Sequence, residues 1–198
     1  MSNLFDKIED LGGVKFLSNE DLESSKNKDL SIVNSIMGKI PDIEITEFIS
    51  KFGNSRFIKD VYAKINIKPG FLQSGEIEIG TIFGWGGSKK SIPSVINQYF
   101  SPDQITVAFF PLFEGYPGDI IYYSLEEDSY GKIYYWYHES DNDDYFLANT
   151  LHDFIDDFFI KVEDDSDEKP LLDDELEQIN VKRKKVGLPP IDNFRNVI

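Results

Sequence analysis

Apolar and polar positions alternate along most of residues 41–162, with two different periods. In PDIEITEFISKFGNS, from Pro41, the residues Ile45, Phe48, Ile49 and Phe52 recur at helical spacing. Proline suits the first helical turn, and Gly53 or Asn54 suits the stop. The period then drops to two in VYAKINI. Val61, Ala63, Ile65 and Ile67 point one way and Tyr62, Lys64 and Asn66 the other, which predicts a half-buried strand. Pro69-Gly70 turns the chain. EIEIGTIFGW predicts a second strand, with Ile77, Ile79 and Phe83 apolar and Gly80 and Gly84 placed for bulges. A helix over 92–100 is broken by Pro102-Asp103. ITVAFFPLF (105–113) is almost wholly apolar and predicts a central strand buried on both faces. After the turn EGYPG, the segments DIIYYSL and KIYYWYHE predict two strands joined by EEDSYG. Leu147, Leu151, Phe154, Ile155, Phe158 and Phe159 form a stripe. It predicts one long helix over 144–162, with Asp153, Asp156 and Asp157 facing away.

The two ends are less patterned. Leu4, Phe5, Ile8 and Leu11 predict a short helix stopped by Gly12-Gly13, and 18–30 reads as a loop or a solvated helix. Beyond residue 162 the chain turns acidic, with Pro170 in its midst. LLDDELEQINVKRKKV then predicts a short helix whose early acids and late bases suit the helix dipole. The expected organisation is one domain over 1–162 and an acidic linker plus helical tail over 163–198. The order of elements predicts an α+β fold: a mostly antiparallel twisted sheet with flanking helices.

Composition sharpens this picture. Sixteen Phe and ten Tyr predict a core built largely from rings. Thirty-six acids against twenty bases give a net charge of -16. The segment 1–162 carries -12 of it and the tail -4. Such a field repels nucleic acid and anionic membranes and draws in basic partners. The chain has no cysteine, which excludes a disulfide framework, a thiolate metal site and a cysteine nucleophile. The N-terminus carries no secretory pattern, and no run approaches the about 18 apolar residues of a membrane span. A cytoplasmic protein without cofactor, and a monomer, is the expectation.

Motifs for chemistry are sparse. His138 and His152 are the only histidines, and their spacing matches no metal-ligand pattern. GWGGSKKS (84–91) departs from a phosphate loop, because Ser88 stands where glycine must precede the lysine. Asp164, Ser166, Glu168 and Glu175 have the spacing of a calcium loop, but Lys169 occupies the position that needs glycine. More informative are the acidic runs Glu126–Asp128 and Asp141–Asp144. They flank a hairpin rich in tyrosine: Tyr122, Tyr123, Tyr134, Tyr135 and Tyr137. Tyrosine joins a large apolar area to a polar tip and is common in interfaces. Glu126, Glu127, Asp128, Tyr137, Glu139, Asp141, Asp143 and Asp144 are therefore the candidate partner-binding residues.

This hairpin carries a resemblance. FPLFEGYPGDIIYYSLEEDSYGKIYYWYHESDNDDYFLANTLHDFIDDF resembles the C-terminal signature of the SUKH superfamily, in its Smi/Knr-like branch. The matching residues are Pro111, Gly118, Asp119, Gly131, Ile133, Tyr134, Trp136, His138, Ala148, Asn149, Phe154 and Ile155. The helix from Pro41 and the strand and glycine loop of FLQSGEIEIGTIFGWG are similar to the family's upstream pattern, so the likeness spans about residues 40–162. The chain departs from it at Pro117, Tyr137 and Thr150-Leu151. The resemblance implies a non-enzymatic α+β binding domain. Its expected role is as an immunity protein that neutralises a cognate toxin domain, often a nuclease or deaminase. The alternative is a regulatory scaffold acting through protein contacts. The matched residues themselves read as structural: Gly118 and Gly131 permit turn geometry, Asp119 is expected to cap its turn by accepting backbone N–H groups, and Trp136 is expected to be a core anchor.

Overall fold

In a computed structural model the described residues are 4–17, 30–65, 74–86, 90–116, 118–139, 144–161, 173–185 and 189–190. The chain divides into two units, Met1–Lys161 and Val162–Ile198. The first runs α1 (Leu4–Asp10), β1 (Val14–Phe16), α2 (Leu30–Met37), α3 (Ile43–Phe52), β2 (Ser55–Lys64), β3 (Glu76–Ile82) and α4 (Ile92–Tyr99). It continues β4 (Phe109–Glu114), β5 (Ile120–Ser124), β6 (Ile133–Trp136), β7 (Asp144–Ala148), α5 (Leu151–Asp156) and β8 (Phe158–Ile160). The second unit contains α6 (Asp173–Lys185), as the tail pattern predicts, where Arg183 Nε donates to the Pro189 carbonyl at 2.8 Å.

The fold is α+β. Eight strands among the described residues form one antiparallel sheet in the order β1-β2-β3-β4-β5-β6-β7, with β8 pairing with β2. Two irregularities shape it. Between the pairs Arg56–Thr81 and Val61–Ile79, residues 57–60 of β2 stand opposite Gly80 alone. β3 and β4 share one registered pair, Ile82–Phe113, with Phe83 N donating to Leu112 O at 3.0 Å and Gly80 lying close against Glu114, whose carbonyl a Cβ there would meet at 3.0 Å. Pro111 explains a third break, in the β4–β5 register between Pro111 and Phe113, because proline has no N–H to give a ladder.

The core is aromatic, as the composition predicts. Phe113 is fully buried, and its ring meets Phe48 of α3, Phe154 of α5 and Phe158 of β8 at centroid distances of 5.7, 6.1 and 5.7 Å. A row of rings crosses four strands: Phe109 with Tyr122, Tyr122 stacked on Tyr134, and Tyr134 against Phe146. Trp136 is buried against Tyr99 of α4. Every residue of β5 is buried, so both of its faces are covered.

Several elements differ from the expectations. The long helix over 144–162 is instead strand, helix and strand. β7 pairs with β6; the helix starts only where Thr150 caps it, its hydroxyl accepting the Asp153 N–H at 3.0 Å; β8 then pairs with β2. Leu147, Phe158 and Phe159 thus have helical spacing but lie in strands, the ladder overriding the period. Asn149 sits exposed in the bend before the cap rather than in a helix. β4 begins at Phe109, not at residue 105, since Ile105 is committed to a bridge with Phe100. β2 begins six residues before Val61, and α2, β1 and β8 were not expected. Val61 and Ala63 are buried and Tyr62 and Lys64 face outward, as the alternation predicts; Asn66 and Ile67 lie outside the described residues. Asn54, not Gly53, takes the left-handed conformation after α3, with φ +59°, and its amide donates to the Trp85 carbonyl.

Phe113→Ala removes a ring that touches three others and should cost about 3–5 kcal/mol, read as a lower urea midpoint with an unchanged slope.

Candidate partner-binding site

The β5–β6 hairpin is locked at its open end by Asp119, a carboxyl group with no exposure. It accepts the hydroxyl proton of Tyr135 and the His138 backbone N–H at 3.1 Å, and its Oδ1 lies 2.6 Å from His138 Nδ1. Burying a polar group without partners is costly, and here each oxygen is engaged. Asp119 was expected to cap its own turn. That turn is instead closed by backbone, with Asp119 N donating to Tyr116 O at 2.8 Å and Gly115 N to Asp119 O at 3.1 Å. The side chain is left free to reach across the hairpin. Gly118 has φ +102°, and a Cβ there would come within 3.2 Å of the His138 ring. Gly118, Asp119, Tyr135 and His138 thus form one structural unit. Gly131 closes the other end with φ +90°.

Beside this lock lies a cleft of about 320 Å³. It is lined by Tyr62, Glu76, Glu78, Tyr116, Tyr135 and Tyr137. Its volume is at the low end of ligand pockets, about 300–1,000 Å³. Tyr116 is 64% exposed. The Tyr137 hydroxyl donates to Glu139, and that hydrogen bond is the main reason the phenol is pushed up to about 12. Glu76 is held by Lys161 at 3.2 Å, while Glu78 is exposed and makes no ion pair among the described residues.

The candidate residues separate into two groups. At the turn end, Glu127 and Asp128 are exposed in a 3-10 turn (Glu127–Ser129), but Glu126 is half-buried and accepts the Ala108 N–H at 2.6 Å. At the open end are Tyr137 and the exposed Glu139, with Asp144 starting β7 opposite Trp136. Burial raises the Tyr122 phenol, and the Asp144 carboxylate beside it raises it further. Asp141 and Asp143 lie outside the described residues. The two groups are separated by the length of β5, about 15 Å. Tyr62, Glu76, Glu78 and Tyr116 were not expected in a site. The outward parity of Tyr62 and Glu78 was readable, but their pairing with each other and their approach to Tyr137 depend on long-range strand order.

His138 belongs to the lock and His152 lies 3.3 Å from Asp156 on α5. Among the described residues no group of three or more His, Asp or Glu side chains is arranged to hold a metal ion. The calcium-loop residues Asp164, Ser166 and Glu168 lie outside the described residues, as do 87–89 of the glycine loop; Gly84 bridges to Ser91 at the start of α4. No described helix is long and apolar enough to cross a membrane.

No family model matches the chain, and no curated protein matches it.

Two outcomes follow from the lock and the cleft. Asp119→Ala leaves the Tyr135 hydroxyl and His138 without their acceptor and should cost about 3 kcal/mol in urea denaturation, more than Asp119→Asn. Titration of the Tyr137 ring followed by NMR should give a midpoint near 12, moving toward 10 in Glu139→Gln. Tyr122, Tyr123 and Tyr135 are also raised, chiefly by burial. Their contribution to stability is complete below about pH 10 and is lost as the pH rises above it.

Proposed function

We propose that the protein is a non-catalytic immunity protein of the SUKH type, which binds a cognate toxin domain with a basic groove and neutralises it by occlusion. The observation that carries this reading is the cleft beside the hairpin. Tyr116 and Glu78 of its lining are presented to solvent, Glu139 is exposed next to Tyr137, and Lys161 already engages Tyr62 and Glu76 in the way an incoming base would engage the rest. Rings and carboxylates together favour a lysine or arginine side chain, by cation–π attraction and by charge. The net charge of -16 supports it as well, since it complements the groove of a protein that handles phosphates. The signature residues support it through the fold alone, because Gly118, Asp119 and His138 build the hairpin that presents the cleft.

Co-expression with the toxin domain encoded beside this gene tests the proposal: survival and a salt-sensitive complex are expected, and neither forms if it is wrong. Glu78→Lys combined with Glu139→Lys should slow association about tenfold at low salt and little at high salt, as measured by stopped flow. A regulatory scaffold is the second reading, favoured by Lys182, Arg183, Lys184 and Lys185 in the last turn of α6. Deleting 163–198 should abolish function under that reading and spare it under the first.

A further inference from the structure

The largest anomaly on the described surface lies at the other end of the hairpin. Ile43 is 75% exposed, the highest value of any large apolar side chain among the described residues. Ile40, three residues earlier, is 45% exposed and Tyr130 is 40% exposed. Single exposed apolar residues are ordinary, but Ile40 and Ile43 flank Asp42, the residue that Tyr130 bonds. Tyr130 donates to the Ile40 carbonyl at 2.9 Å and to Asp42 Oδ1 at 3.1 Å, and Tyr123 donates to Asp42 Oδ2 at 2.6 Å. These bonds tie the segment entering α3 to the hairpin turn and hold the surface in one shape before anything binds. Its margin is acidic. Glu44 and Glu47 on α3 and Glu127 and Asp128 on the turn are exposed and make no ion pair among the described residues. Lys39 and Lys132 are the bases beside them in the chain.

We propose that this face is a docking surface for a basic amphipathic segment of a partner protein. The segment's apolar side chains cover Ile40, Ile43 and Tyr130, and its arginines or lysines meet the acidic margin. An apolar centre with a charged rim is the usual anatomy of an interface, and a preformed surface loses little entropy on binding. The charge of the margin selects the occupant, because an acidic or neutral segment would leave those carboxylates unpaired. The inference rests on the reading that the chain binds a basic protein, and it names a face distinct from the tyrosine cleft.

The test uses the full chain, labelled for NMR, and two synthetic 14-residue helical peptides of equal positive charge. One carries a leucine stripe with arginines, the other serine in place of leucine. The leucine peptide should perturb the amides of 40–47 and 127–130 and bind at least tenfold more tightly than the serine peptide. Ile43→Ser should remove that difference while leaving the thermal midpoint in place, and Glu127→Lys with Asp128→Lys should weaken binding and flatten its salt dependence. Equal binding of the two peptides, perturbations centred on Tyr116 and Glu78, or no effect of Ile43→Ser would overturn the proposal. A dimer in sedimentation that Ile43→Asp dissociates would overturn it too, making the face a contact between copies. The two proposals fail separately. Peptide docking without rescue from the toxin removes the immunity reading and leaves the face; rescue with docking elsewhere does the reverse.

Discussion

A buried carboxyl group sets the terms for the functional end of this protein. Asp119 is shut away from water, so its oxygens must find their partners within the chain. It draws the Tyr135 hydroxyl, the His138 backbone and the His138 ring to one point, and in doing so closes the open end of the β5–β6 hairpin. Glycine suits position 118 because its φ of +102° is one that other side chains rarely adopt, and a Cβ would crowd the imidazole at 3.2 Å. Once that end is fixed, Tyr137 shares the cleft with Glu76 and Glu78 of β3 and donates to the exposed Glu139.

The sheet supplies the other half of the site. β3 is paired with β4 at Ile82–Phe113 and lies against Glu114 at Gly80, and Glu76 and Glu78 of β3 and Tyr62 of β2 line the cleft together with Tyr116, Tyr135 and Tyr137. Phe113, at that pairing, is gripped by rings from α3, α5 and β8.

The same hairpin governs its far end by tyrosine hydroxyls rather than by a carboxyl group of its own. Tyr123 and Tyr130 reach to Asp42 and hold the start of α3 against the turn. One supersecondary unit thus organises two surfaces about 15 Å apart. Both are acidic, which fits a protein whose charge resides mainly in residues 1–162.

The sequence alone determined the α+β class, the aromatic core, the acidic field, the hairpin with its tyrosines, the strand parity of Val61 to Lys64 and the tail helix. Each of these is written in composition or in a local period, and local periods survive folding when burial agrees with them. The stretch 144–162 shows where this stops. Its residues satisfy a helical stripe, yet β6 and β2 offered unpaired edges that a strand could complete, and the ladder bonds decided the outcome. Glu126 reads as a free surface acid but is consumed by the Ala108 N–H, eighteen residues away. Ile43 stands off the buried stripe of α3, a visible sign, but only the hydrogen bonds of Tyr130 to Ile40 and Asp42 bring the hairpin turn to that end of the helix. Which carboxylates are spent on the fold and which face a partner is a matter of long-range hydrogen bonding. No spacing along the chain encodes it, so it was settled by tertiary structure.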